Sequence, residues 1–222
     1  MLIYTYINKS KENKLKKLIK KSASIAQDNK AEKEEKLLNE GFKLFTTKGF
    51  INTSIQDIVN KANVAKGTFY LYFKDKYQLR DVLITKKARK LFNDALTSLN
   101  NNYIEDFSDQ IIYIINYVID ELNKDPLLLG LISKDLGWGV FNKTLLNLYS
   151  ISEEEENGMY DLFIKGVEKN NLKLANPRAT LFMIIELVSS TIFTSILYKE
   201  PLPIKEYKPI LYNQIRNMLK NS

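Results

Sequence analysis

Proline is confined to positions 126, 177, 201, 203 and 209, and only 8 of the 222 residues are glycine. Each proline removes a backbone donor and each glycine loosens regular structure, so the stretch before position 126 is open to long uninterrupted helices. No segment sustains the period-two alternation of a half-buried strand. Apolar residues recur instead at intervals of three and four, and an all-α chain is expected.

Capping signals divide the chain. A first helix is predicted over 31–47, with Leu38, Phe42 and Phe45 on one face and Lys48-Gly49 at its end. Thr53, with Gln56 three residues on, has capping-box spacing ahead of the stripe Ile55, Ile58, Val59 and Ala62. Asn63 sits where a tight turn needs a left-handed residue, and a short third helix follows from about Ala65 to Phe73. Asp75 is placed to cap a long helix over 76–99, and another is expected over 107–124. Further helices are read over 127–136, 138–148 and 152–170, the last with Ser152 and Glu155 as a capping box. Asn176-Pro177 opens a helix to Tyr198, and the last runs over 204–220.

Charge is uneven. Residues 1–96 hold 21 Lys and Arg against 10 Asp and Glu, and the remainder holds 12 against 16. The basic half is the candidate polyanion binder. With no Cys and no His, thiol and imidazole catalysis and the usual zinc and copper sites are excluded, and no metal or other cofactor is expected. Neither paired catalytic carboxylates nor a phosphate-cradling loop is present, so no enzyme is expected. The short apolar opening does not read as a secretion signal, and a cytoplasmic protein is expected. Residues 181–198 just reach membrane-spanning length but carry Glu186 and five Ser or Thr, so a buried or subunit-facing helix is the better reading. Residues 1–30 form a basic extension with eight lysines, read either as a frayed helix or a disordered arm. An alternative reading of the whole chain, a basic amphipathic protein lying on a membrane surface, rests on residues 9–26 alone.

The stretch VAKGTFYLYFKDK, residues 64–76, combines four aromatics with three lysines. On a helix Phe69 and Phe73 face one way, toward Phe42, Phe45, Ile58 and Val64, while Lys66, Tyr70 and Lys74 stay wet. Two short helices joined by a tight turn, after a longer helix and inside the basic half, make a helix-turn-helix whose second member lies in the DNA major groove. Tyr70 and Tyr72 can then place hydroxyls on phosphates, Lys66 and Thr68 can reach groove edges or phosphates, and Gly67 allows close approach to the duplex. The competing reading is an aromatic core helix with solvated lysines.

Residues 37–79, LLNEGFKLFTTKGFINTSIQDIVNKANVAKGTFYLYFKDKYQL, resemble the N-terminal DNA-binding domain of the tetracycline-repressor (TetR) family of bacterial regulators. Phe45, Gly49-Phe50, Thr53-Ser54, Ile58, Ala62, Val64, the run Lys66 to Tyr70, Phe73 and Lys76 carry the match. The resemblance implies phosphate contacts from Thr53 and Ser54, a base contact from Gln56, major-groove placement of Lys66, Gly67, Thr68 and Tyr70, and backbone phosphates held by Tyr72 and Lys76. Asn63 stands where the family usually has Gly, and Ala65, where it often has Ser, removes a side-chain cap.

Beyond the basic extension (1–30), which lies before the usual start of the family domain, the resemblance further implies a helix-turn-helix domain (31–76) and a larger helical domain (77–222) that binds a small molecule and dimerises through 177–198 and 204–220. A homodimeric, ligand-released repressor on a palindromic double-stranded DNA operator follows as the expected function. The 177–198 helix is apolar nearly all round, with Ile185 and Ile192 expected on the dimer seam. Glu186 is read either as a counter-charge for a cationic ligand or as a solvent-facing residue beside that seam. Gly137 and Gly139 around Trp138 suggest either a hinge beside a pocket walled by Tyr113, Tyr117, Trp138, Phe141, Phe163 and Met183 or an ordinary helix corner.

Overall fold

The computed structural model describes residues 29–132 and 158–220, and every regular element in them is a helix. Two compact units divide between Leu79 and Arg80, inside one continuous helix.

In the first unit, helix α1 (29–47) buries Leu37, Leu38 and Phe45. It ends at Gly49, whose φ of 86° lies in the left-handed region that favours glycine. Helix α2 (Ile55–Ala62) turns Ile58, Val59 and Ala62 inward and stops at Asn63, at φ 53° and ψ 49°. The asparagine therefore does the expected left-handed work. Helix α3 (Lys66–Tyr70) starts from Ala65 with no side-chain cap and ends three residues short of the expected Phe73. Phe69 and Phe73 are fully buried nonetheless, because the turn after Tyr70 keeps both rings on the core side, 5.6 Å apart.

The cap of α2 differs from expectation by one residue. Ser54, not Thr53, is the N-cap, and it forms a reciprocal capping box with Asp57. The Thr53 hydroxyl instead turns back toward the carbonyls of Gly49 (2.8 Å), in the turn after α1, and Leu44 (3.3 Å), in its last turn. Helix α4 (Lys76–Asn100) starts where Asp75 accepts the Gln78 amide at 2.8 Å, the cap read from sequence.

In the second unit, Asp106 caps α5 (Phe107–Lys124), Pro126 opens α6 (Pro126–Ile132), and α7 is described from Gly158 to Lys169. Asn176 accepts the Ala179 amide at 3.0 Å to cap α8 (Pro177–Leu197), and α9 (Ile204–Leu219) follows. Helix α8 packs on α5, α6, α7 and α9, which is why so much of its surface is apolar despite its also having the length and hydropathy of a membrane span. The core gathers Ile119, Leu122, Leu129, Ile132, Phe163, Ile184, Ile192 and Ile215. Helix α7 approaches α5 closely at Gly166, where a Cβ would fall 1.9 Å from the Phe107 ring. The helix expected over 138–148, the Ser152–Glu155 cap, and Trp138 and Phe141 lie outside the described residues.

Candidate nucleic-acid interface

The first unit sorts its polar side chains into two groups, those used internally and those left outward. Lys76 belongs to the first. Its Nζ donates to the carbonyls of Phe50 (3.0 Å), Ile51 (3.1 Å) and Thr53 (2.9 Å) and stands 4.7 Å from the Phe50 ring centre. An ammonium has three donors, and all three are engaged. Lys76 is thus a strut tying the start of α4 to the turn before α2, and its ammonium is not free for the phosphate contact the resemblance implies.

Thr53 is also internal, only 1% exposed with its hydroxyl committed as above. Ser54 is exposed, but its hydroxyl and amide both bond to Asp57 Oδ2 at 2.8 Å. Lys48 Nζ reaches the same carboxylate oxygen at 2.8 Å. Lys48 first, then the Ser54 amide and hydroxyl, hold the Asp57 carboxyl far below the usual carboxylate range. The exposed Gln56 donates to Asn60 Oδ1 at 2.8 Å and keeps a second N–H and its carbonyl oxygen available.

Helix α3 carries the outward group. Lys66 and Tyr70 are exposed, Tyr70 by 53%, and Thr68 is half-buried. Among the described residues no hydrogen-bond or ion-pair partner engages Lys66 Nζ or the hydroxyls of Thr68 and Tyr70. The Tyr70 ring is fixed by edge-on packing against the buried Phe69, 5.6 Å away at 83°. At Gly67 an added Cβ would meet nothing within 4 Å, so nothing in the chain itself requires glycine there. Tyr72 is half-buried, and burial first, then Glu34, push its hydroxyl pKa up.

A cavity of ≈ 80 Å³ lies in the second unit between α4, α5, α7 and α8. Of the aromatic wall expected from sequence, the described lining includes Phe163 alone. Tyr113 ties its hydroxyl to Ser98 (2.8 Å) and Asn102 (2.9 Å), and Tyr117 packs between the two hydrophobic clusters. Met183 points outward at 51% exposure, and Glu186 is half-exposed, its carboxylate with no polar partner among the described residues. Among the described residues no group of three or more Asp or Glu could hold a metal. Apart from Phe163 and Phe92 the wall is aliphatic, and in sequence these residues are indistinguishable from ordinary core.

Residues 37–83 match the profile of bacterial regulatory proteins of the tetR family. The Transposon Tn10 TetC protein of Escherichia coli is 30% identical over 154 residues, covering 66% of this chain and 72% of that protein. Three HTH-type transcriptional regulators of Bacillus subtilis, 36%, 44% and 42% identical, are matched over only 50%, 17% and 22% of their lengths. The fold is shared with the transcriptional regulator FadR of Bacillus subtilis in complex with stearoyl-CoA, at TM-score 0.56 and 16% identity over 82% of this chain and 96% of that one. It is also shared with RolR in complex with resorcinol, at TM-score 0.63 and 14% identity over 88% of this chain and 91% of that one.

Proposed function

Because the chain belongs to the tetR family of bacterial regulatory proteins, we propose that it is a DNA-binding transcription regulator, a repressor that binds a palindromic operator as a homodimer in the cytoplasm. The observation that carries the reading is the outward face of α3. There Lys66, Thr68 and Tyr70 present polar groups with no internal partner among the described residues, on a helix anchored by Phe69 and Phe73. Lys66 and Thr68 read base edges or phosphates, Tyr70 holds a phosphate, and Gly67 lets the duplex approach. Gln56 contributes its free amide functions, Ser54 marks the phosphate side of α2, and the half-buried Tyr72 flanks the groove. Thr53 and Lys76 serve this face from behind by fixing the turn before α2.

Dimerisation is proposed through the outer faces of α8 and α9. Ile185 and Ile192 are buried in the subunit's own core, at 8% and 0% exposure, so they do not form the seam. Phe182, Met183, Leu197 and Ile210 remain exposed and supply its apolar surface. A two-fold dimer presents its α3 helices to half-sites spaced by about 34 Å or a multiple of it. The two neighbours solved with small molecules support a ligand-released regulator, with the cavity between α4, α5, α7 and α8 as the effector site. Mobility shift with the DNA flanking its own gene tests the reading: the wild type retards a specific fragment, and Lys66→Ala does not. Equal retardation by both proteins would overturn the assignment of α3.

A further inference from the structure

The cavity also constrains what kind of effector it takes, and this step rests on the ligand-released reading. Ala88 and Phe92 of α4, Ile115 of α5, Phe163 of α7 and Ile184 of α8 are representative of its wall, and among the described residues no hydroxyl, amide or charged side chain lines it. A polar ligand atom placed there would lose its hydrogen bonds to water with none in return. The wall spans residues 111–118 on α5 and 181–188 on α8, about 10 Å along each axis at the helical rise. A volume of only ≈ 80 Å³ is small against that length, so an occupant that follows it must be slender. Ala88, buried in the wall, keeps it open where a larger aliphatic side chain would close it.

We propose that the slot takes an unbranched alkyl chain as the buried part of the effector, with any polar headgroup outside the described wall. A chain of methylenes is slender and fits a purely hydrocarbon slot of that length. A small polar ring would leave its hydroxyls unpaired and its length unfilled. Each methylene that enters should raise affinity by about fourfold, since one buried CH₂ contributes about 0.8 kcal/mol.

The test titrates the full-length protein with n-alkanols from hexanol to tetradecanol, and with resorcinol as a polar aromatic probe, by calorimetry. Affinity is expected to climb about fourfold per added carbon and then level off once the slot is full. Resorcinol is expected to bind more weakly than the alkanol at the plateau. Ala88→Leu should bring the plateau to a shorter chain, and the wild-type series stands alone if that variant does not fold. Affinity independent of chain length, tighter binding of resorcinol, or no binding of any alkanol overturns the proposal. Operator binding is followed in parallel. Protein that shifts its DNA but binds no alkanol sinks this inference and leaves the regulator reading standing. Alkanol binding that leaves DNA affinity unchanged supports the slot and overturns its role as the effector site.

Discussion

Replacing Lys76 by methionine separates an internal strut from a phosphate contact. Met keeps the aliphatic stem and removes the ammonium that caps the carbonyls of Phe50, Ile51 and Thr53. A hydrogen bond from a charged donor contributes about 1.5–3 kcal/mol when its acceptor is cut off from water. These carbonyls are partly accessible and rehydrate, so the three together, with the contact to the Phe50 ring, are expected to contribute about 2–3 kcal/mol. In a chain of this length that corresponds to a fall in melting temperature of about 5–10 °C. Operator affinity should also drop, because the turn that sets the start of α2 is released. The salt dependence of binding should not change, since no counterion is displaced by Lys76. Had Lys76 held phosphates, its loss would lower the slope of log K against log salt by about 0.9 per subunit. A Lys76→Met protein with unchanged melting and a reduced salt slope would refute the strut.

Lys66→Ala and Tyr70→Ala should each lower operator affinity by about 1–3 kcal/mol per subunit, with melting unchanged; a mobility-shift titration beside a thermal melt checks this. Met183→Glu or Ile210→Asp should give folded monomers by sedimentation, whereas Ile192→Asp, placing a charge in the subunit core, should not fold. The Asp57 carboxyl is held down in the folded state by Lys48 and Ser54, so its contribution to stability is present above the ordinary carboxylate pKa and disappears as pH falls through the depressed folded value. Asp57→Asn should therefore be less stable than wild type at pH 7, with the gap closing on acidification in pH-resolved melts.

Local signals carried much of the fold. Asp75 and Asn176 each cap the helix that the sequence assigned to them, and Asn63 adopts the left-handed conformation its position demanded. Between Thr53-x-x-Gln56 and Ser54-x-x-Asp57 the sequence offers two capping boxes one residue apart. The choice falls to Ser54 because the Thr53 hydroxyl turns back to the carbonyls of Gly49 and Leu44, a demand set by the turn after α1 that the capping pattern does not mark. Helix α8 hid its orientation for a different reason. A helix apolar nearly all round has no polar face to mark the outside, so Ile185 and Ile192 read equally well as seam or core. The strut of Lys76 joins residues more than twenty positions apart, and no spacing rule reaches that far. Of the cavity wall only Phe163 was legible, because the other lining residues, mostly aliphatic, look like ordinary core in a sequence and a slot between them is defined by what fails to fill it.

The proposed function has the outward face of α3 reading DNA in a two-fold assembly. Hydroxyl-radical footprinting on the DNA flanking the gene, with wild type and the Lys66→Ala, Tyr70→Ala double variant at matched salt, tests it most directly. Two protected half-sites centred about one helical turn or a multiple of it apart are expected, both lost in the double variant while its dimer persists. A single protected site, or protection that survives the double substitution, would contradict it.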